Sequence, residues 1–383
     1  MPKFAPPDCR ALYVHVPFCA AKCRYCDFYS LAFDAPVAQR YLRAVAAELR
    51  SRCALLSAPL ASVFLGGGTP TVLGAGLLEE LLSLCRPWID RDTEFSVEAN
   101  PGTLDAPVVE VLAAGGVNRV SLGVQSFRDP ELRWLGRIHS GAEARRAAET
   151  LRAAGVRDLG LDLIYGIPSQ TPASWRASVG EALALRPEHL SCYGLSFEPG
   201  TPLERELRAG RVKPMDEAAQ AACYRHAIEA TGRAGLEHYE ISNFARVGRR
   251  CRHNLTCWHN EPYLGVGPGA ASYVGGVRRT NLPDLEAYLA AAPAGRPVPA
   301  SRERLTGRAA MAETVMLSLR LIEGLHRPSF VRRYGRDVSE VFPRSISRYA
   351  KLGALEITAS HIRLSSEALF VADTVLADIL AEA

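Results

Sequence analysis

Short apolar runs alternate with longer amphipathic stretches through the first 200 residues. The runs are rich in β-branched residues and end in glycine or polar clusters: Leu12–Val16, Ser62–Leu65, Glu94–Val97, Arg119–Val124, Leu159–Ile164 and His189–Leu195. Between them lie Ala/Leu/Arg-rich segments with helical spacing: Arg40–Leu55, Leu77–Cys85, Ala106–Ala114, Ala142–Ala154 and Ala173–Leu185. Strand–helix alternation of this kind predicts a parallel sheet with right-handed crossovers.

The strand ends choose between architectures. The first run leads into a cysteine segment, and the second ends in Gly66-Gly67-Gly68-Thr69-Pro70-Thr71. The third ends in Glu98-Ala99-Asn100-Pro101-Gly102 and the fourth in Gln125-Ser126. The fifth begins its exit at Asp162, and the sixth ends in Glu198-Pro199-Gly200-Thr201-Pro202. A barrel assembles its site from many strands on that face, whereas an open doubly wound sheet concentrates it at one switch point. The expected fold is α/β: a partial six-stranded (β/α)6 barrel of the TIM type over 1–245. Residues 246–304 are expected to connect, with Arg246–Ser272 a long loop rich in Gly, His, Asn, Cys and aromatics. Over 305–383, amphipathic helices at Arg308–Ile322 and Leu369–Leu380 flank a hairpin of Leu355-Glu-Ile-Thr and His361-Ile-Arg-Leu. That pattern predicts a small C-terminal, winged-helix-like domain. No internal repeat or low-complexity segment occurs.

Composition changes this picture little. The 383 residues are 48% hydrophobic and 22% charged, as in ordinary globular proteins. The net charge of +4 is spread over mixed Arg and Glu, which gives no case for nucleic acid, and a winged-helix fold does not imply DNA binding. No stretch approaches the ~20 apolar residues that span a bilayer. The opening Met-Pro-Lys-Phe-Ala-Pro-Pro-Asp has no apolar run of the signal-peptide kind. A reduced, cytoplasmic protein is expected.

The sharpest chemical signal is Cys19, Cys23 and Cys26, spaced C-x3-C-x2-C. Three close thiolates without a fourth can hold three irons of a [4Fe–4S] cube. The remaining iron is then free to bind a small molecule and pass it an electron. A structural zinc site usually wants four ligands, often as paired C-x2-C units, and no second pair occurs. A disulfide framework needs an oxidising compartment. Cys9, Cys53, Cys85, Cys192, Cys223, Cys251 and Cys257 are scattered, as buried free thiols usually are.

The Gly66–Gly68 triplet could be only a tight turn. Bare backbone also lets a ligand approach and exposes N–H donors, and a position on the same face as the cysteines favours that role. Thr69 offers a hydroxyl toward the same space. Glu98, Gln125, Arg137 and Asp162 are expected at or near the mouth. A carboxylate there suits ribose hydroxyls or an ammonium, and Arg137 offers a fork for a carboxylate. Singly, each could be a solvated loop residue or an N-cap; together they suit an amino-acid nucleoside.

These features resemble the radical S-adenosylmethionine (SAM) superfamily. Tyr13-Val-His-Val-Pro-Phe-Cys19, Val97-Glu-Ala-Asn-Pro-Gly102, Gly123-Val-Gln-Ser126 and Asp162-Leu-Ile-Tyr-Gly-Ile-Pro168 narrow the likeness. They resemble the oxygen-independent coproporphyrinogen III oxidase group nearly end to end. The resemblance implies that the amino and carboxylate groups of SAM chelate the open iron. It further implies that the reduced cluster cleaves SAM to methionine and a 5′-deoxyadenosyl radical. Tyr13, Phe28, Gly67 with its neighbour Gly68, Thr69, Glu98, Arg137 and Asp162 fall at SAM-lining positions. Gln125 matches a position associated with a second SAM. A ferredoxin or flavodoxin is the implied reductant, and a homodimer is allowed for.

Two subgroups share this framework. One decarboxylates coproporphyrinogen III; the other, the heme chaperones (HemW), binds heme and delivers it to membrane respiratory hemoproteins. The decarboxylases resemble C-x3-C-x2-C-x-C, but here Phe28 stands at the last place, and only 18 residues precede Cys19. Cys251-Arg-His253-Asn-Leu-Thr-Cys257-Trp258 resembles the chaperones' His-Asn-x-x-Tyr-Trp signature, with Cys257 replacing tyrosine. By that resemblance His253 is the candidate heme ligand and Trp258 packs on the porphyrin face. The run Gly265–Ser272 also fits the group, with Ala271 where many relatives have histidine. His15, His238 and His259 are better read as structural. The resemblance thus favours a heme chaperone, peripheral at the membrane during delivery. A decarboxylase comes second, and a radical enzyme that methylates or opens a tetrapyrrole third.

Overall fold

The computed structural model describes residues 9–383, so the first eight positions of the expected barrel segment, with the opening Met1–Asp8, lie outside the described residues. Strand β1 (Ala11–Val16) runs into the cysteine segment, where β2 (Phe18–Cys19) and β3 (Leu31–Ala32) form a two-residue parallel ladder. Then β4 (Ser62–Gly67), β5 (Glu94–Ala99), β6 (Arg119–Gln125), β7 (Asp158–Tyr165) and β8 (His189–Gly194) follow beside β1 in chain order, each pair parallel. The crossovers carry α1 (Ala35–Arg52), α2 (Gly74–Cys85), α3 (Ala106–Ala114), the short α4 (Asp129–Leu135), α5 (Gly141–Ala153) and α6 (Pro172–Ala184). After α7 (Pro202–Arg208) and α8 (Glu217–Arg233), β9 (Glu237–Glu240) and β10 (Asn243–Ala245) add an antiparallel hairpin beside β8. The six-stranded expectation is met and extended to a nine-stranded sheet, open between its two edges, β11 and β9.

Local signals explain the helix starts. Asp34 caps α1 by accepting from Val37 N, with Pro36 in the first turn. Ser140 and Glu143 form a capping box on α5, and Thr171 with Ser174 forms one on α6.

Strand alternation sorts the core into two faces. Leu12, Val14, Val63, Leu65, Phe95, Val97, Val120, Leu122, Leu159, Leu161 and Leu190 are fully buried and join the apolar core with the helices. The alternate positions carry Glu98, Arg119, Ser121, Asp162, His189 and Ser191, and these line a cavity. A barrel usually fills its interior with layers of Val, Ile and Leu; this one is polar and hollow.

The structure departs from the expected loop over Arg246–Ser272. It forms α9 (Arg252–Trp258) and β11 (Leu264–Val266), which pairs in parallel with β1. Seven and three residues are too few to show a periodicity, and Gly265 in β11 reads as a breaker. That glycine is required, because a side chain there would run into the backbone of Ala271. Beyond it, β12 (Ala271–Val274), β13 (Val277–Asn281) and β14 (Ala300–Glu303) make a small antiparallel sheet around α10 (Leu285–Ala291). Glu48 of α1 fastens this region. Its buried carboxylate accepts from Gly267 N at 2.9 Å, Asn281 Nδ2 at 3.0 Å and Tyr288 Oη at 2.9 Å.

The last segment contains α11 (Gly307–Ser318), β15 (Leu325–His326), α12 (Arg327–Tyr334), α13 (Val338–Val341), α14 (Pro343–Lys351), β16 (Leu355–Ile357), β17 (His361–Leu364) and α15 (Ala372–Ala381). The expected hairpin gains β15 as a third strand beside β17. Among the described residues, no helix is long and apolar enough to cross a membrane.

Candidate functional site

A cavity of about 450 Å³ opens where the cysteine segment meets the C-terminal ends of the strands, a size suited to a small molecule. Cys19, Cys23 and Cys26 stand on its wall. Phe28, Gly67, Gly68, Thr69, Glu98, Gln125, Arg137 and Asp162 share that wall. Residues more than 140 positions apart in the chain thus meet in one space.

The thiols suit iron. Cys19 Sγ lies 3.8 Å from Thr69 Oγ1, and Arg137 Nη1 donates to Cys23 Sγ at 3.4 Å. Burial pushes the Cys19 thiol up and that of Cys26 up to about 11. Iron ligation needs thiolates, so uptake releases protons. Among the described residues no three His, Cys, Asp or Glu side chains gather as ligands of a single ion. A cube instead takes each sulfur on a different iron. The donor set therefore fits a [4Fe–4S] cluster.

The rest of the mouth is backbone and buried charge. Gly67 has φ +105° and donates its N–H to Glu98 Oε2 at 3.0 Å; a side chain there would strike the His15 ring. Burial pushes Glu98 up to about 7; the Gly67 N–H opposes this, and the Asp162 charge adds to it. Asp162 accepts from Ser121 Oγ at 2.9 Å and Ser191 Oγ at 2.6 Å. Burial still raises its pKa, against the pull of those hydroxyls. Gln125 adopts φ +63° at a register shift in the β6–β7 pair, a bulge of the kind that re-aims side chains next to sites. Arg137 is anchored by Gly123 O at 2.6 Å, while its Nε has no partner. Asn100 Oδ1 is likewise buried and unpaired on this wall.

Three expected site residues stand elsewhere. Tyr13 does not line the cavity. Its hydroxyl meets His15 Nδ1 at 3.0 Å, and its ring packs near Phe64 and His253. His253 lies at the opposite end of the barrel, on α9, which closes the floor. Its Nδ1 sits 3.2 Å from Ser62 Oγ, and its ring stacks on Phe64 at 5.2 Å. It is 6% exposed, and burial lowers its pKa to about 4, so it is neutral. The expectation of an accessible heme ligand is therefore not met in this conformation, because His253 is the residue of α9 that turns inward, onto Ser62 and Phe64. Trp258 is half-buried under the Arg320 guanidinium, 4.8 Å from its ring. Cys257 is enclosed beside them, its thiol pushed up to about 11 by burial.

The cavity also draws in residues that sequence reasoning passed over: Ser121, Ser191, Arg119, His189 and Asn254. The signal was present as polar residues at every second position of otherwise apolar strands. Arg119 donates to Arg249 O at 3.1 Å, and His189 Nε2 meets Tyr239 Oη at 2.8 Å.

Residues 13–181 match the Radical SAM superfamily profile, and residues 305–371 match the HemN C-terminal domain. Heme chaperone HemW of Bacillus subtilis is 34% identical over 379 residues, covering 97% of this chain and 100% of that protein. Heme chaperone HemW of Synechocystis is 39% identical over 331 residues, with 82% and 79% covered. The Escherichia coli protein of the same name is 37% identical over 266 residues, 68% and 69% of the two chains. Among solved structures, E. coli coproporphyrinogen III oxidase (HemN), a radical SAM enzyme, superposes with a TM-score of 0.84 over 98% of this chain and 91% of that one. At 23% identity that likeness is one of fold.

Proposed function

This chain belongs to the HemW family of radical SAM proteins, and we propose that it binds heme and hands it to a respiratory hemoprotein. A likeness that spans the whole length of the B. subtilis chaperone carries this reading. The superfamily brings with it a [4Fe–4S] cluster and SAM.

In this reading Cys19, Cys23 and Cys26 hold three irons, and the cluster, when bound, supplies an electron to SAM. Arg137 steadies the sulfur charge beside Cys23. Gly67, Gly68 and Thr69 present backbone and hydroxyl to the ligand. Asp162, set by two serine hydroxyls, accepts from ribose, and Glu98 accepts from an ammonium or hydroxyl. Phe28 covers the mouth, and Gln125 faces a second nucleoside position. His253 ligates heme iron and Trp258 packs on the macrocycle, while Tyr13 packs against the His253 ring when the imidazole is turned inward. A ferredoxin or flavodoxin supplies electrons, the chain pairs as a homodimer, and it works in the cytoplasm, meeting the membrane only at delivery.

The test is a heme titration of the anaerobically reconstituted chain, wild type beside His253→Ala, followed at the Soret band. Saturable binding weakened by the substitution supports a chaperone. Absence of specific binding, with carbon dioxide and protoporphyrinogen formed from coproporphyrinogen III, would make the protein a decarboxylase instead.

A further inference from the structure

Helix α9 is fastened at its two ends by different parts of the molecule. The first turn belongs to the barrel. Glu94 accepts from Arg252 N at 2.9 Å and His253 N at 3.2 Å, and Arg252 Nη1 donates to Asp92 O at 2.6 Å. The other end belongs to the C-terminal segment. Asn260 is 2% exposed and stands at φ +54°. Its Nδ2 donates to Thr314 Oγ1 at 2.9 Å and Glu313 Oε2 at 3.3 Å, and its carbonyl accepts from Arg333 Nη1 at 3.1 Å. Arg278 Nη2 donates to Asn260 Oδ1 at 2.8 Å and also pairs with Glu313. Arg320 covers the Trp258 ring.

This arrangement withholds both groups of the motif. His253 sits among Tyr13, Phe64 and Tyr263, with ring centroids 5.2–6.3 Å away. No flat macrocycle can bring its iron to that imidazole while the three rings enclose it. Trp258 Nε1 is buried with no hydrogen-bond partner, a cost that native structures rarely bear without a reason.

We propose that the C-terminal domain is a latch on α9. While Thr314, Glu313, Arg320 and Arg333 grip Asn260 and Trp258, the chain refuses heme; when they let go, α9 turns His253 and Trp258 outward to a tetrapyrrole. This rests on His253 being the heme ligand. Asn260, Thr314 and Glu313 are as buried as Glu94, but the grip also depends on Arg320, which is half-buried, and Arg333, which is exposed, so it is loosened from the surface while the Glu94 end stays as the hinge.

The experiment uses the full chain, reconstituted anaerobically. Heme association is followed by stopped-flow at the Soret band in wild type, Arg333→Ala and Arg320→Ala, and in each combined with His253→Ala. Amide hydrogen exchange over residues 252–260 is measured alongside. Arg333 is at the surface, so its alanine variant folds, and Arg333→Lys restores part of the grip. Each arginine variant should speed association about fivefold, as loss of one charge-assisted contact allows. Exchange across α9 should rise, and His253→Ala should cancel the gain. The latch is overturned if exchange rises while heme association stays at the wild-type rate. It is equally overturned if neither variant loosens α9, or if the gain survives His253→Ala. Absence of heme binding both in wild type and in arginine variants whose α9 has loosened removes the heme function itself and the latch with it.

Discussion

The mouth and the floor of the barrel are built from the same strands and treat polar groups in opposite ways. At the mouth, Arg137 Nε and Asn100 Oδ1 have no partner, and Glu98 holds a single backbone N–H. At the floor, Glu94 is filled by two backbone N–H groups and lies 3.6 Å from Cys251 Sγ, and Arg119 is anchored on Arg249 O. A buried polar group left open costs about 1–3 kcal/mol, so open groups gathered in one cavity mark a place meant for a ligand. Saturated ones mark a joint. The division is a tendency with exceptions near the floor: His189 Nδ1, Asp158 Oδ1 and Trp258 Nε1 are buried and unpaired, and of these His189 stands on the cavity wall.

Breaking the mouth should have the largest effect. Cys23→Ala should abolish cluster assembly, read as iron and sulfide content and visible absorbance after reconstitution; a full complement of iron would sink the cluster assignment. Breaking the floor should cost stability instead. Glu94→Ala should lower unfolding free energy by about 3 kcal/mol in a denaturant titration, with SAM affinity in equilibrium dialysis unchanged. Loss of SAM affinity at wild-type stability would erase the division between the two ends. Asp162→Asn should weaken SAM by about 1–2 kcal/mol, since the charge that orients the ligand's hydroxyls is lost while Ser121 and Ser191 stay satisfied. An unchanged dissociation constant would remove Asp162 from the ligand's contacts.

The smallest effect is in pH. Glu98 is raised from 4.5 to about 7, so its contribution to stability is full below 4.5 and is lost as pH rises through 7. His253 is lowered from 6.5 to about 4, so its contribution is full above 6.5 and is lost as pH falls through 4. The two ends therefore tilt the profile oppositely between 4.5 and 6.5, each by at most about 1.4 kcal/mol per pH unit. Thermal melts across that window should show Glu98→Gln steepening the rise with pH and His253→Phe flattening it. Both variants shifting the slope the same way would contradict the assignment.

The six barrel strands were legible nearly residue for residue, because their helix-facing positions are uniformly apolar and their ends carry glycine or charge. The mouth was legible for the same reason: Cys19 to Cys26 follow β1, and Gly67 and Glu98 stand at strand ends, whereas Asp162 lies inside β7, which runs on to Tyr165. The floor was not. A motif read along one dimension says that His253 and Trp258 are near each other, but not which way a seven-residue helix faces. Tyr13 shows the same limit, since a position beside a site in sequence can point at its neighbour's ring instead. Ser121 of β6 and Ser191 of β8 were readable but looked like defects in apolar strands.

The pairing of β11 with β1 has a consequence during synthesis. Leu12 and Leu264 are neighbours in the sheet but about 250 residues apart in the chain. At roughly 5–20 residues per second on the ribosome, that edge of β1 waits tens of seconds for its partner. A nascent chain thus displays an unpaired, apolar strand beside reactive thiols for that long. Holdases that bind such an edge, and the timing of iron delivery relative to release from the ribosome, would then set how much of the protein reaches its native state.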